Sequence, residues 1–273
     1  MATTEADLSG GHMTERDGQG PNLAMVRRFE AAGARAWPAT TVYYDGAWAV
    51  RLTAGHPAKR LNSINPLDRN DDGNLTERIA RLARRFAAYG RPLTFRMSPL
   101  SGSRIENHLD GEGWVRLSES LVMRAPLDEA LVHDAMHQIP LKDMGRFINA
   151  AIVIRNLDPA LRPGLSEVIT AIQPQAGLFV QEQAHHPIST AICVRDGDLA
   201  GLFEVATEAS QRGKGHGRRM LLSALKWAYS QGARKAWLQV EADNGAAIGL
   251  YRSLGFEEVY RYHYRQPQGG EGA

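Results

Sequence analysis

Apolar positions along the chain change period several times, and each change marks an element. Thr40–Tyr44 and Trp48–Thr53 are short β-rich runs around Asp45-Gly46, a hairpin signal. Leu75, Ile79, Leu82, Ala83 and Phe86 then recur at helical spacing until Gly90 stops the helix. Asn74, with Glu77 three residues on, reads as its capping box. Leu93, Phe95 and Met97 alternate as a strand, a short helix covers about 103–109, and Trp114–Arg124 is a further strand. A junction at 126–140 holds one polar helix, and helical stretches follow at about 141–155 and 163–172, broken by Pro159 and Pro163.

The second half is more sharply punctuated. Gly177–Gln181, Ile188–Arg195 and Leu199–Thr207 read as strands, the last two joined by an Asp196-Gly197 hairpin. A Gly-rich loop, Arg212–Gly217, opens a helix with Leu221, Leu222, Leu225, Ala228 and Tyr229 on one face, and Gly232 ends it. Ala236–Ala242 alternates, Asn244 caps a short helix that ends at Gly255, and Glu257–Arg265 alternates again. The halves share a rhythm of helix, Gly, strand, short helix and Gly-aromatic, with Gly90 and Gly113-Trp114 answering Gly232 and Gly255-Phe256. That self-similarity implies a duplication.

Composition narrows the class. The chain has 273 residues, a net charge of +2 and one cysteine, Cys193. An intramolecular disulfide is therefore impossible, and a near-neutral balance gives no support for nucleic-acid or membrane binding. No run approaches the ~18 apolar residues of a membrane helix, and the polar N-terminus does not read as a signal peptide. These features lead us to expect a cytoplasmic protein. Residues 1–22 are polar and Gly-rich and read as a disordered tail. Gln268–Ala273 reads as a frayed end.

The chemistry concentrates in Gln211-Arg-Gly-Lys-Gly-His-Gly-Arg218, between a strand and a helix. Glycines let the backbone turn and approach a ligand, and loop N–H groups with the positive helix end then face an anion. Arg212, Lys214, Arg218 and Arg219 add charge, so the segment reads as a pyrophosphate cradle. It lacks the Walker and dinucleotide spacings. Other constellations carry less. Asp68–Leu75 matches the start of a calcium loop, but Ile79 stands where its Glu belongs. Cys193, mid-strand, reads as a small buried residue. Arg78, Arg81, Arg84 and Arg85 read as a solvated helix face. No metal site is expected.

Arg212-x-x-Gly215-x-Gly217 resembles the acyl-CoA pyrophosphate loop of the GCN5-related N-acetyltransferase (GNAT) superfamily. About 30 residues on, Asn244 followed by Leu250-Tyr251-Arg-Ser-Leu-Gly255-Phe256 resembles the family's second signature. The resemblance covers about 140–266, and the first half is similar to the degenerate half of two-domain members. It implies an α/β (α+β) fold of tandem halves, each a mixed, mostly antiparallel sheet flanked by helices. The expected boundaries are 23–127 for the degenerate half and 128–273 for the catalytic one. It further implies acetyl transfer from acetyl-CoA to a primary amine by direct attack, by a monomer or homodimer. Tyr251 would protonate the CoA thiolate. Val205, Ala206 and Thr207 would line the pantetheine arm. Arg212, Gly213, Lys214, Gly215, His216, Gly217 and Arg218 would hold the pyrophosphate, with Asn244 near the pantetheine. Glu204 is the candidate base, with Glu241 or a water relay as alternatives. A non-enzymatic acyl-CoA sensor regulating a partner is the other reading.

Overall fold

The computed structural model describes residues 21–269. The expected N-terminal tail therefore lies almost wholly outside the described residues, as does most of the frayed C-terminal end. Eight helices and ten strands alternate through the described chain. The first half contains α1 (Leu23–Ala36), β1 (Thr41–Asp45), β2 (Trp48–Leu52), β3 (Ser63–Pro66), α2 (Leu75–Ala88), β4 (Phe95–Met97), α3 (Ser103–Gly111) and β5 (Val115–Pro126). After the short α4 (Glu129–Val132) come α5 (Met144–Arg155), α6 (Arg162–Thr170), β6 (Gln175–Gln183), β7 (His186–Asp196), β8 (Leu199–Thr207), α7 (His216–Ser230), β9 (Lys235–Glu241), α8 (Gly245–Ser253) and β10 (Glu257–Gln266).

All ten strands form one mixed sheet, in the order β1-β2-β3-β4-β10-β5-β9-β8-β7-β6. The halves repeat the same elements: α3 and α8 begin 142 residues apart, as do β5 and β10. They also exchange their final strands. β10 pairs antiparallel with β4 of the first half, and β5 pairs antiparallel with β9 of the second. β5 and β10 then pair with each other and join the two half-sheets.

The alternation of each strand sorts its side chains onto two faces. Val122, Phe203, Trp237, Tyr260 and Tyr262 pack with α1, α5 and α6 in one core. Leu121, Met123, Ala200, Leu202 and Leu238 pack with α7 and α8 on the opposite face. On that second face, at the first-half end of the sheet, Trp48, Val50, Ile64 and Phe95 pack with α2 and α3.

Two local expectations are corrected. Asn74 is left-handed (φ 53°) and its side chain makes no capping bond. The loop before α2 is closed instead by Asp71, whose carboxylate accepts from the Ala47 amide (2.7 Å) and pairs with Arg78 (2.9 Å). Arg78 is accordingly not part of a solvated face: it is 7% exposed and stacks 3.7 Å from the Trp48 ring centroid. A long side chain can bury its stem while two carboxylates, Asp71 and Asp45, hold its head. α1 and β3 had no clear sequence signal. α1 is capped by Asn22, whose side chain accepts from the Ala24 and Met25 amides. β3 is a polar four-residue strand recruited by its neighbours on both sides.

Candidate active site

The site begins where two parallel strands part. β8 and β9 pair from Leu199–Lys235 to Leu202–Leu238 and no further, although both strands continue. The parting coincides with a bulge in β8. Its register against β7 shifts between Phe203 and Ala206, and Glu204 takes a left-handed conformation at φ 48°. A non-glycine residue there costs about 1–3 kcal/mol. Thr190 and Ser189 hydroxyls hold the bulge by donating to the carbonyls of Glu204 (3.1 Å) and Ala206 (3.0 Å). The half-buried edge Glu204–Thr207 therefore lacks β9 as a hydrogen-bonding neighbour, and its ladder groups on that side can serve a ligand.

This edge runs into the Gly-rich loop. Gly213 and Gly215 have φ of 74° and 78°, the region only glycine enters freely, and α7 starts directly after Gly215 with no side chain capping it. Gly217 is packed closely: a Cβ there would lie 3.3 Å from Thr207 Oγ1 and 3.5 Å from Leu250 Cδ2. Strand end, helix start and α8 thus converge on one point. The loop's cations bind only neutral groups. Arg212 Nε donates to the Thr207 carbonyl (3.4 Å), Lys214 Nζ to Gln211 Oε1 (3.1 Å) and Arg218 to Ser253 Oγ (3.4 Å). Arg219 approaches His216 Nδ1 at 3.0 Å. Partial burial and the Arg219 and Lys214 charges lower the His216 pKa. Among the described residues, none of these four cations pairs with a carboxylate. Free helix N–H groups and unpaired cations around a glycine turn fit a pyrophosphate.

α8 supplies the next groups. Asn244 caps it, its Oδ1 accepting from the Ala247 amide at 3.1 Å. Tyr251, two turns in, is 7% exposed and packs against Phe256 with ring centroids 5.9 Å apart. Burial pushes its hydroxyl up to about 12, so it is a protonated donor at neutral pH.

Across the sheet, Glu204 is ion-paired to Arg155 at the end of α5. The bulge turns the Glu204 side chain towards the α5 face, away from Val205, which packs with the α7 core. His56 lies close enough to feel the charges of both Glu204 and Arg155, and burial lowers its pKa. Neither Arg155 nor His56 carried a sequence signal. The 54–58 loop reaches this place because Gly55 and Gly164 meet backbone to backbone: a Cβ on Gly164 would stand 1.9 Å from the Gly55 carbonyl oxygen. The alternative base, Glu241, ends β9 exposed. Cys193 is fully buried, and burial raises its thiol pKa strongly, which removes it as a nucleophile.

A cavity of about 680 Å³ occupies the matching place in the first half. Asn70 and Asp72 line it from the loop before α2, Ser101 and Arg104 from the start of α3, and His263 from β10. Arg104 and Asp72 pair across it at 3.0 Å.

The profile of the family described as "Probable histone acetyltransferase Rv0428c C-terminal" matches residues 23–265, nearly the whole described chain. The chain belongs to this family. It is a GNAT-superfamily acyltransferase. The "Uncharacterized N-acetyltransferase YobR" of Bacillus subtilis is 25% identical over 253 residues, covering 88% of this chain and 98% of that protein. A GCN5-related N-acetyltransferase from Kribbella flavida shares the fold at a TM-score of 0.65, with 16% identity over 89% of this chain and 95% of the other. A tandem GNAT protein from the clavulanic acid biosynthesis pathway does so at 0.60, with 15% identity over 92% and 88%. No helix among the described residues is long and apolar enough to cross a membrane.

Proposed function

We propose that this acyltransferase moves an acetyl group from acetyl-CoA to a primary amine within one ternary complex. The observation that carries the reading is the free edge of β8, which leads into the uncapped, cation-ringed start of α7. In this reading residues 23–127 are a scaffold and 128–273 carry the chemistry. Arg212, Lys214 and Arg218, with the loop and helix amides from Gly213 to Gly217, bind the pyrophosphate. Val205, Ala206 and Thr207 offer backbone partners to the pantetheine amides, and Asn244 lies beside that arm.

Acetyl-CoA supplies an activated thioester carbonyl. Glu204, directly or through a water, takes a proton from the ammonium, because only the neutral amine has a free electron pair. That pair forms the C–N bond, and a backbone N–H of the β8 edge holds the developing oxyanion. As the C–S bond breaks, the nitrogen loses its second proton to water, and Tyr251 gives its own proton to the sulfur and regains one from solvent. The products are an amide and free CoA. The test is CoA release from acetyl-CoA across an amine panel, followed by longer acyl-CoAs. Amine-dependent release with acetylated product in the mass spectrum supports the reading. Tight acetyl-CoA binding with no transfer to any amine would favour an acyl-CoA sensor.

A further inference from the structure

On the α1 face, where the two halves meet, the sheet buries more positive charge than it neutralises. Arg51 of β2, Arg96 of β4 and Arg60 of the turn Lys59–Leu61 gather around Tyr262 and Tyr264 of β10. Arg96 stacks 3.6 Å from the Tyr262 ring centroid and is ion-paired to Glu30. Glu30 is also engaged by the Tyr260 hydroxyl, which donates at 2.6 Å. Arg51 donates to the Trp37 carbonyl, and Lys59 Nζ lies 5.9 Å from the Tyr264 ring centroid. Among the described residues, Arg51, Arg60 and Lys59 have no carboxylate partner. One carboxylate thus serves three guanidinium groups, two of them in residues no more than 7% exposed. Buried charge is costly in a folded protein unless it is paired, so an anion added here would lower that cost.

The field is visible in its neighbours. Burial, then the Arg96 charge, lowers the Arg51 pKa to about 10. Burial opposes ionisation of Tyr262, but the Arg60 and Arg96 charges outweigh it, so its hydroxyl titrates below the ordinary tyrosine value.

The cluster borders the acceptor side of the candidate site. The Tyr262 hydroxyl donates to Gln239 Oε1 at 2.9 Å, and Gln239 is the first residue of β9 beyond its last pair with β8. The turn carrying Lys59 and Arg60 follows His56, which lies beside Glu204 and Arg155. Lys59 and Arg60 are half-buried and so more accessible than Arg51 and Arg96, although the Arg60 guanidinium is packed against the Tyr262 hydroxyl. The pyrophosphate loop starts α7 on the opposite face, so its ligand does not supply the missing anion.

We infer that the amine acceptor itself carries an anionic group, a carboxylate or a phosphate, which docks on Arg60 and Lys59 while its amino group meets Glu204. This rests on the acetyl-transfer reading above. An amine without such a group would leave Arg60 and Lys59 with only the Tyr262 and Tyr264 side chains for partners. A charge-assisted contact of this type is worth ~10- to 100-fold in affinity.

The experiment titrates the full chain, saturated with CoA, with matched probes: β-alanine against β-alaninamide, and O-phosphoethanolamine against ethanolamine. At least one anionic member should bind ~10- to 100-fold tighter than its neutral partner, and the pair that responds identifies the group. Arg60→Gln should erase the preference and Arg60→Lys retain part of it, with the CoA affinity of both variants unchanged as evidence of an intact fold. Equal binding within both pairs, or no binding of either anion, overturns the inference. Acetyl transfer is measured in parallel with the same probes. Indiscriminate acetylation of neutral and anionic amines overturns the inference and leaves acetyl transfer standing. Selective anion binding without transfer to any amine leaves the anion site standing and overturns the acetyl-transfer reading.

Discussion

Tyr251 and Glu204 show how much one residue's chemistry depends on burial and backbone. Tyr251 is enclosed by its helix and Phe256, and desolvation alone raises its pKa to about 12. It therefore stays protonated through the neutral range and is available as an acid throughout. Tyr251→Phe removes only that proton. The expected result is a kcat lower by ~10²–10⁴, with acetyl-CoA affinity measured by calorimetry unchanged. An unchanged kcat, with chemistry shown to be rate-limiting, would reduce Tyr251 to a packing residue. The place of Tyr251, two turns into a short helix, was legible in the sequence from its spacing after Asn244, and its role as an acid comes only from the resemblance of that motif to the GNAT signature. The environment of Glu204 was not. Strict alternation along β8 would put it on the α7 face, and the bulge at φ 48° returns it to the α5 face, beside Arg155. A one-residue bulge leaves no periodic trace in a single sequence. Arg78 is the converse case: its helical spacing placed it with Arg81 and Arg85, and only the tertiary approach of Asp45, Asp71 and Trp48 draws it inward.

At the scale of elements, the two halves use the same β-loop-helix unit to different ends. In the second half β8 offers a five-residue edge beyond its last pair with β9, followed by glycines at 213 and 215 and an uncapped α7. Gly215→Asp should abolish acetyl-CoA binding, because a side chain at φ 78° strains the turn and its carboxylate faces the pyrophosphate. Retained micromolar affinity in calorimetry, with circular dichroism unchanged, would sink the loop assignment. In the first half β3 meets β4 at a single pair, Ile64–Phe95, and ends at Pro66, which has no N–H to offer. The loop that follows is tied down by Asp71, and Arg104 is neutralised by Asp72. Leu109, fully buried, stands where Tyr251 does in the second half. The expected stoichiometry in equilibrium dialysis is therefore one acetyl-CoA per chain, despite the cavity in the first half. A second bound molecule that survives Gly215→Asp would show that the first half kept its site. The loop and α8 could be read from sequence because they are local: glycines, an Asn cap and a helical period within some forty residues. β3 could not, since a short polar strand is specified by its neighbours rather than by its own pattern.

The whole molecule adds a constraint that neither half contains. The repeat of elements along the chain suggests two separable units with a boundary near residue 127, but the sheet crosses that boundary twice. β5, from the first half, fills the gap between β9 and β10, and β10, from the second, has both of its neighbours, β4 and β5, in the first. A fragment of residues 128–273 would therefore leave one edge of β9 unpaired and β10 with no partner at all. It would also uncover Tyr260, Tyr262, Trp237 and the rest of the core they share with α1. Unpaired edges of this length and an exposed apolar face favour aggregation over a stable monomer. The candidate site would suffer too, because His56, Lys59 and Arg60 come from the first half, on a loop anchored by the Gly55–Gly164 contact. We expect fragment 128–273 alone to give no cooperative thermal transition and no acetyl-CoA binding. Co-expression with fragment 23–127 should restore both, because the exchanged strands supply the association surface. Size-exclusion chromatography and calorimetry of the separate and co-expressed fragments make the comparison. A monomeric 128–273 fragment that melts cooperatively and binds acetyl-CoA would show that the exchange is a late embellishment on a self-sufficient domain.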